Sequence, residues 1–123
     1  MGKQPQEEIT VALKTAKIFS LAETEMLGPP ADGNLAVPVF GHGTLEVEWY
    51  APDKEDKQKP HSRDEIYVVA KGAGEFFDGQ QLQTVSTGTC LFVPAEVEHR
   101  FENFTEDFAV WVFFYGPEGG ENA

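Results

Sequence analysis

The chain has 123 residues, enough for one domain with a real core and too few for two. Hydrophobic residues make up 41% and charged residues 24%, with ten Phe, a balance that excludes a disordered chain. The formal net charge of −12, from 9 Lys+Arg against 21 Asp+Glu, argues against nucleic acid and anionic membranes, which need basic side chains to neutralise their phosphates.

Residues 1–34 form an N-terminal segment, its first eight polar and loose, with a weak amphipathic pattern at residues 11–17 that fits a short helix or an early strand equally. A run of turn formers, Gly28-Pro29-Pro30-Ala31-Asp32-Gly33-Asn34, closes it. Residues 35–40 and 44–50 then alternate apolar and polar side chains around Gly41-His42-Gly43, the pattern of a hairpin, with His42 an exposed turn histidine. Residues 51–60 are charged and carry Pro52 and Pro60 near their ends, an exposed loop. Residues 65–71 are rich in β formers, Gly72 and Gly74 punctuate them, residues 75–77 resume, and Asp78-Gly79 predicts a tight hairpin into residues 82–85. Strands are expected again at residues 90–93, 99–104 and 108–115, with a turn at Pro94-Ala95. The acidic, Gly-rich residues 116–123 form a tail.

No apolar run approaches the roughly 20 residues of a membrane helix, and the longest, residues 108–115, fits a buried strand. Because that strand is apolar on both faces, one face needs a covering surface beyond the core, which a homodimer would supply. Cys90 is the single cysteine, so no intramolecular disulfide can form. No basic, apolar leader opens the chain, and the cytoplasm is the expected compartment. Cys90 itself reads as a small buried hydrophobe. Many short strands with few helical signals predict an all-β sandwich or barrel over residues 35–115.

Two stretches join candidate metal ligands to strand and turn signals. The first is Pro60-His61-Ser62-Arg63-Asp64-Glu65, with Gly72 seven residues after Glu65. The second runs from Gly88 through Pro94 and His99 to Asn103. Two histidines and a carboxylate form a ligand set for iron and similar divalent metals. Alternation puts Glu65, Tyr67 and Val69 on one strand face, and His99, Phe101 and Asn103 on another, so that the two faces can line one cavity.

These two stretches resemble the signatures of the cupin family. The second follows the family pattern at Gly88, Pro94, His99 and Asn103, with Glu96 where Gly is usual. The first keeps Glu65 and Gly72 but lacks one of the family's two histidines. In one register His61 is the second histidine and Lys59 replaces the first; in the other His61 is the first and Arg63 replaces the second. The resemblance implies a cupin-type β jelly roll, a double-stranded β-helix barrel with little helix, and metal ligands at His61, Glu65 and His99. Neither Lys59 nor Arg63 completes the set, since a protonated amine and a guanidinium have no lone pair to give.

The expected function is a mononuclear metal-dependent enzyme acting on a small polar organic molecule, dioxygenase-like or, second, an isomerase. Iron, manganese, nickel, cobalt or zinc would each suit the ligands. Arg63, as a clamp for a substrate anion, and Tyr67, as a pocket wall, are the candidate substrate contacts. The competing readings are a non-catalytic binding module and a structural cupin with a degenerate site. In the latter, His99 is a satisfied core histidine and Arg63 pairs with Glu65 in place of a metal.

Overall fold

The structure, a computed structural model, describes residues 15–122. Among the described residues eight strands follow one short helix: α1 (Leu21–Glu25), β1 (Val37–His42), β2 (Leu45–Tyr50), β3 (Asp64–Lys71), β4 (Ala73–Phe77), β5 (Leu82–Ser86), β6 (Cys90–Val93), β7 (Arg100–Glu102) and β8 (Ala109–Tyr115). Most of the amphipathic pattern at residues 11–17 lies outside the described residues, and residues 15–17 are not helical. Helix α1 starts where Ser20 caps it, its Oγ accepting from the Glu23 amide at 3.1 Å.

Two antiparallel sheets form the domain, a five-stranded one in the order β1-β2-β8-β3-β6 and a three-stranded one in the order β5-β4-β7. The hairpins are where turn chemistry placed them. Asp78 accepts from the amides of Gln80 and Gln81 at 2.9 and 3.0 Å, and Gly79 takes a φ of +101° between β4 and β5. At the β3–β4 junction Gly72 has a φ of +77°, and a Cβ there would stand 2.3 Å from the Thr105 hydroxyl, so no other residue fits.

Between the sheets lies a core that includes Tyr50, Tyr67, Val69, Phe76, Phe101, Val110 and Val112, all buried. Side chains alternate along each strand, and the register carries that alternation across the sheet: Tyr50 pairs with Val110, and Tyr67 with Val112 and Leu91. The same register sends Trp49, Trp111 and Phe113 to the outer face. There the rings of Trp49 and Trp111 meet edge to face at 5.1 Å, and Phe19 packs at 5.8 Å from Trp111 and 5.9 Å from Phe40. Part of the second apolar face of β8 is thus covered from within the chain.

Cys90 corrects one expectation. It is exposed, not buried. It lies on β6, the edge of the larger sheet, where Leu91 and Val93 point inward and Cys90 and the 56% exposed Phe92 point out. The tail is held rather than free over residues 116–122: Gly119 N–H donates to the Ser62 carbonyl at 2.6 Å, and Glu121 N–H to Asp64 Oδ2 at 2.8 Å. The Glu121 bond, with one from the Ala95 amide, draws the Asp64 carboxyl below its ordinary value.

Candidate metal centre

His61 stands in the loop before β3, Glu65 on β3, and His99 just before β7. The fold brings all three together, each offering one ligand atom within 4.8 Å of the others. Glu65 is the pivot. Its Oε1 lies 3.0 Å from His61 Nδ1 and 2.9 Å from His99 Nε2, while the residue is only 1% exposed. Donors bound at right angles to one ion at about 2.1 Å stand roughly 3 Å apart, so these edges fit a coordination site.

Two further observations support that fit. Glu65 Oε2 is buried and has no hydrogen-bond partner among the described residues, an expensive arrangement for a carboxylate unless a cation meets it. His99 Nδ1 lies 2.8 Å from the Val97 carbonyl, which can only accept, so Nδ1 carries the proton and Nε2 is the atom turned to Glu65. Burial pushes the Glu65 carboxyl up, but the hydrogen bonds and charges of His61 and His99 outweigh it, leaving Glu65 below its ordinary value. Burial likewise pulls His99 down, and the bonds to Glu65 and Val97 with the Glu65 charge bring it out above its ordinary value.

Tyr67, fully buried, places its hydroxyl 2.9 Å from His99 Nε2 and 2.9 Å from Gln58 Oε1. Gln58 Nε2 donates in turn to Asp56 Oδ2 at 3.0 Å. Asp56, 8% exposed, also accepts from Tyr50 Oη at 2.6 Å and from the Phe101 amide at 2.8 Å. Nothing in the sequence marked Asp56 and Gln58, because they sit in a charged, Pro-flanked loop that looks like a solvated one.

Arg63 does not pair with Glu65. Its guanidinium donates to the carbonyls of Thr44 and Gly116 at 2.6 and 3.3 Å and to Glu46 at 2.9 Å. Asn103 bonds Glu75 at 2.6 Å and is exposed, away from the centre. Lys59 is exposed, and His42 ends β1 exposed to solvent.

Above His61 opens a shallow cleft of about 300 Å³ lined by Glu46, Glu48, His61, Ser62, Arg63 and Phe114. Glu46 and Glu48 are the surprise of this wall. The alternation of β2 suggests that its glutamates face water on the outer side, yet Glu48 pairs with Val112 and shares the inner face with Tyr50. Burial raises the Glu48 carboxyl above its ordinary value, Glu46 and Glu65 add to this, and His61 opposes it.

A cupin-domain family profile matches residues 46–115. An uncharacterized protein of Streptomyces coelicolor is 36% identical over 104 residues, covering 83% of this chain and 98% of that protein. Among solved structures, a cupin-2 domain containing protein from Shewanella frigidimarina superposes with a TM-score of 0.65 at 15% identity, covering 80% of this chain and 95% of that one. A cupin 2 conserved barrel domain protein from Salinispora arenicola gives a TM-score of 0.64 at 17% identity, covering 84% and 91%. The two signatures, the paired antiparallel sheets and these matches agree: the chain belongs to the cupin family.

Proposed function

We propose that this protein is a mononuclear metal-dependent enzyme in which His61, Glu65 and His99 hold a divalent cation and a small polar organic molecule enters by the cleft over His61. The observation that carries this reading is the buried Glu65, flanked by two imidazoles with Oε2 left without a partner. A bound metal would supply Lewis acidity toward a substrate oxygen or the means to activate dioxygen, and a dioxygenase-like reaction ranks ahead of an isomerisation.

The chain's own residues prepare that chemistry. The Val97 carbonyl fixes the His99 tautomer, and Glu65 is held between the rings. Phe114, whose ring meets His61 edge to face at 4.9 Å, and the buried Tyr67 and Phe101 keep water from the inner side. At the mouth, Arg63 anchors the wall through its two carbonyl contacts and is the group nearest to hand for a substrate anion. Glu48 presents a carboxylate able to accept a proton from a substrate hydroxyl or amine.

A second reading, a non-catalytic small-ligand or structural cupin, is favoured by the missing family histidine, in whose place neither the exposed Lys59 nor Arg63, the candidates of the two registers, can ligate a metal. We further propose a cytoplasmic homodimer formed through the outer face of the larger sheet. Among the described residues no helix is long and apolar enough to cross a membrane. Oxygen uptake by iron-loaded protein, screened over small hydroxylated and keto acids and their neutral analogues, tests the enzyme. Uptake lost in His99→Ala supports it, and none with any substrate class rules out the dioxygenase and leaves the isomerase and the second reading.

A further inference from the structure

The loop of residues 51–60 contributes more than a boundary to the site. Hydrogen-bond polarity can be followed along it from Asp56 inward. The Asp56 carboxylate only accepts, and its Oδ2 lies 3.0 Å from the Gln58 side chain, so the amide nitrogen of Gln58 faces Asp56. Gln58 Oε1 therefore faces Tyr67 at 2.9 Å and takes the single hydroxyl proton of Tyr67. The Tyr67 oxygen, 2.9 Å from His99 Nε2, is left to present only lone pairs there. His99 Nδ1 is already committed as a donor to the Val97 carbonyl. Three acceptors then converge: His99 Nε2, Glu65 Oε1 at 2.9 Å from it, and the Tyr67 oxygen. With His99 neutral, hydrogen bonding cannot satisfy that meeting point; a positive charge on it can, either a proton on Nε2 or a metal ion in its place.

We propose that Asp56, Gln58 and Tyr67 form a positioning relay that turns the Tyr67 proton away from His99 and so reserves Nε2 for a metal ion. This rests on the metal-site reading above. Were the relay cut at Gln58, Tyr67 would rotate its proton onto Nε2 and block the lone pair that the metal requires.

The test is a zinc titration of wild-type protein against a chromophoric chelator, alongside Gln58→Leu, Tyr67→Phe and the double variant. Gln58→Leu weakens zinc binding by about tenfold, the size of effect typical for a partner of a metal-bound histidine. Adding Tyr67→Phe to it removes the blocking proton and restores most of that loss, an outcome that mere destabilisation by Gln58→Leu would not produce. Should Gln58→Leu fail to fold, Gln58→Met removes the same acceptor at similar volume. The relay is wrong if Gln58→Leu binds zinc as wild type does, or if the double variant binds no better than the single one. Absence of zinc binding by wild type instead refutes the metal site itself, so the two failures are distinguishable.

Discussion

Replacing Glu65 with Gln in the metal-free protein isolates what the buried carboxylate contributes. Glu65 lies below its ordinary 4.5, so its share of stability is present above that value and is lost as pH falls through its folded value. His99 lies above its ordinary 6.5, so its share is full below 6.5 and is lost as pH rises through its folded value. The two conditions overlap between 4.5 and 6.5, where Glu65 is charged and His99 Nε2 carries a proton. In that window the substitution exchanges a charge-assisted hydrogen bond for a neutral one, a loss of about 1.5–3 kcal/mol. With a urea slope near 2 kcal/mol per M, the midpoint falls by about 1 M. Once the pH has risen through the folded value of His99 the balance changes. His99 is then neutral with a bare Nε2 against a carboxylate, and the Gln amide can donate to it, so the cost shrinks toward zero or reverses. Urea denaturation of chelator-treated wild type and Glu65→Gln, followed from about pH 5.5 upward, reads the change. A loss that stays equal across the whole alkaline range would refute the reasoning.

Two further substitutions probe the scaffold. Glu96 holds a φ of +71° where the family has Gly, and its amide donates to the His61 carbonyl at 2.7 Å. Glu96→Gly relieves left-handed strain while adding chain entropy to the unfolded state, and the difference leaves a gain of up to about 1 kcal/mol, read as a higher melting temperature. Asp56→Ala strands the buried Tyr50 hydroxyl and the Phe101 amide, at about 3–5 kcal/mol for the two. A loss under 1 kcal/mol in chemical denaturation would mean that water replaces the carboxylate.

The strands were legible because each has its own punctuation. Gly41 to Gly43, Gly72, Asp78-Gly79, Gly88 and Pro94 bracket runs whose period is two, and the observed strands fall within two residues of those limits. The grouping of His61, Glu65 and His99 was legible through the resemblance of their two stretches to the cupin signatures, and the folded-back sheet does bring the three side chains together. What escaped was any residue whose neighbours misrepresent its environment. Glu48 alternates with Val47 and Trp49 as a solvated residue would, but both faces of β2 are covered, so the apolar ones mark the outer layer and the glutamates turn to the site. Asp56 and Gln58 lie among charged residues, and their roles come from contacts across the domain, to Phe101 and Tyr67. Cys90 misled because an apolar-looking run on an edge strand still has one wet face.

Elemental analysis of the purified protein, wild type and the His61→Ala/His99→Ala double variant, tests the metal centre most directly. A metal centre at these residues gives close to one divalent metal per chain in wild type and almost none in the variant, with both folded by circular dichroism. Wild-type protein without metal after loading with iron, manganese, nickel, cobalt and zinc in turn, or a variant that retains its metal, would contradict it.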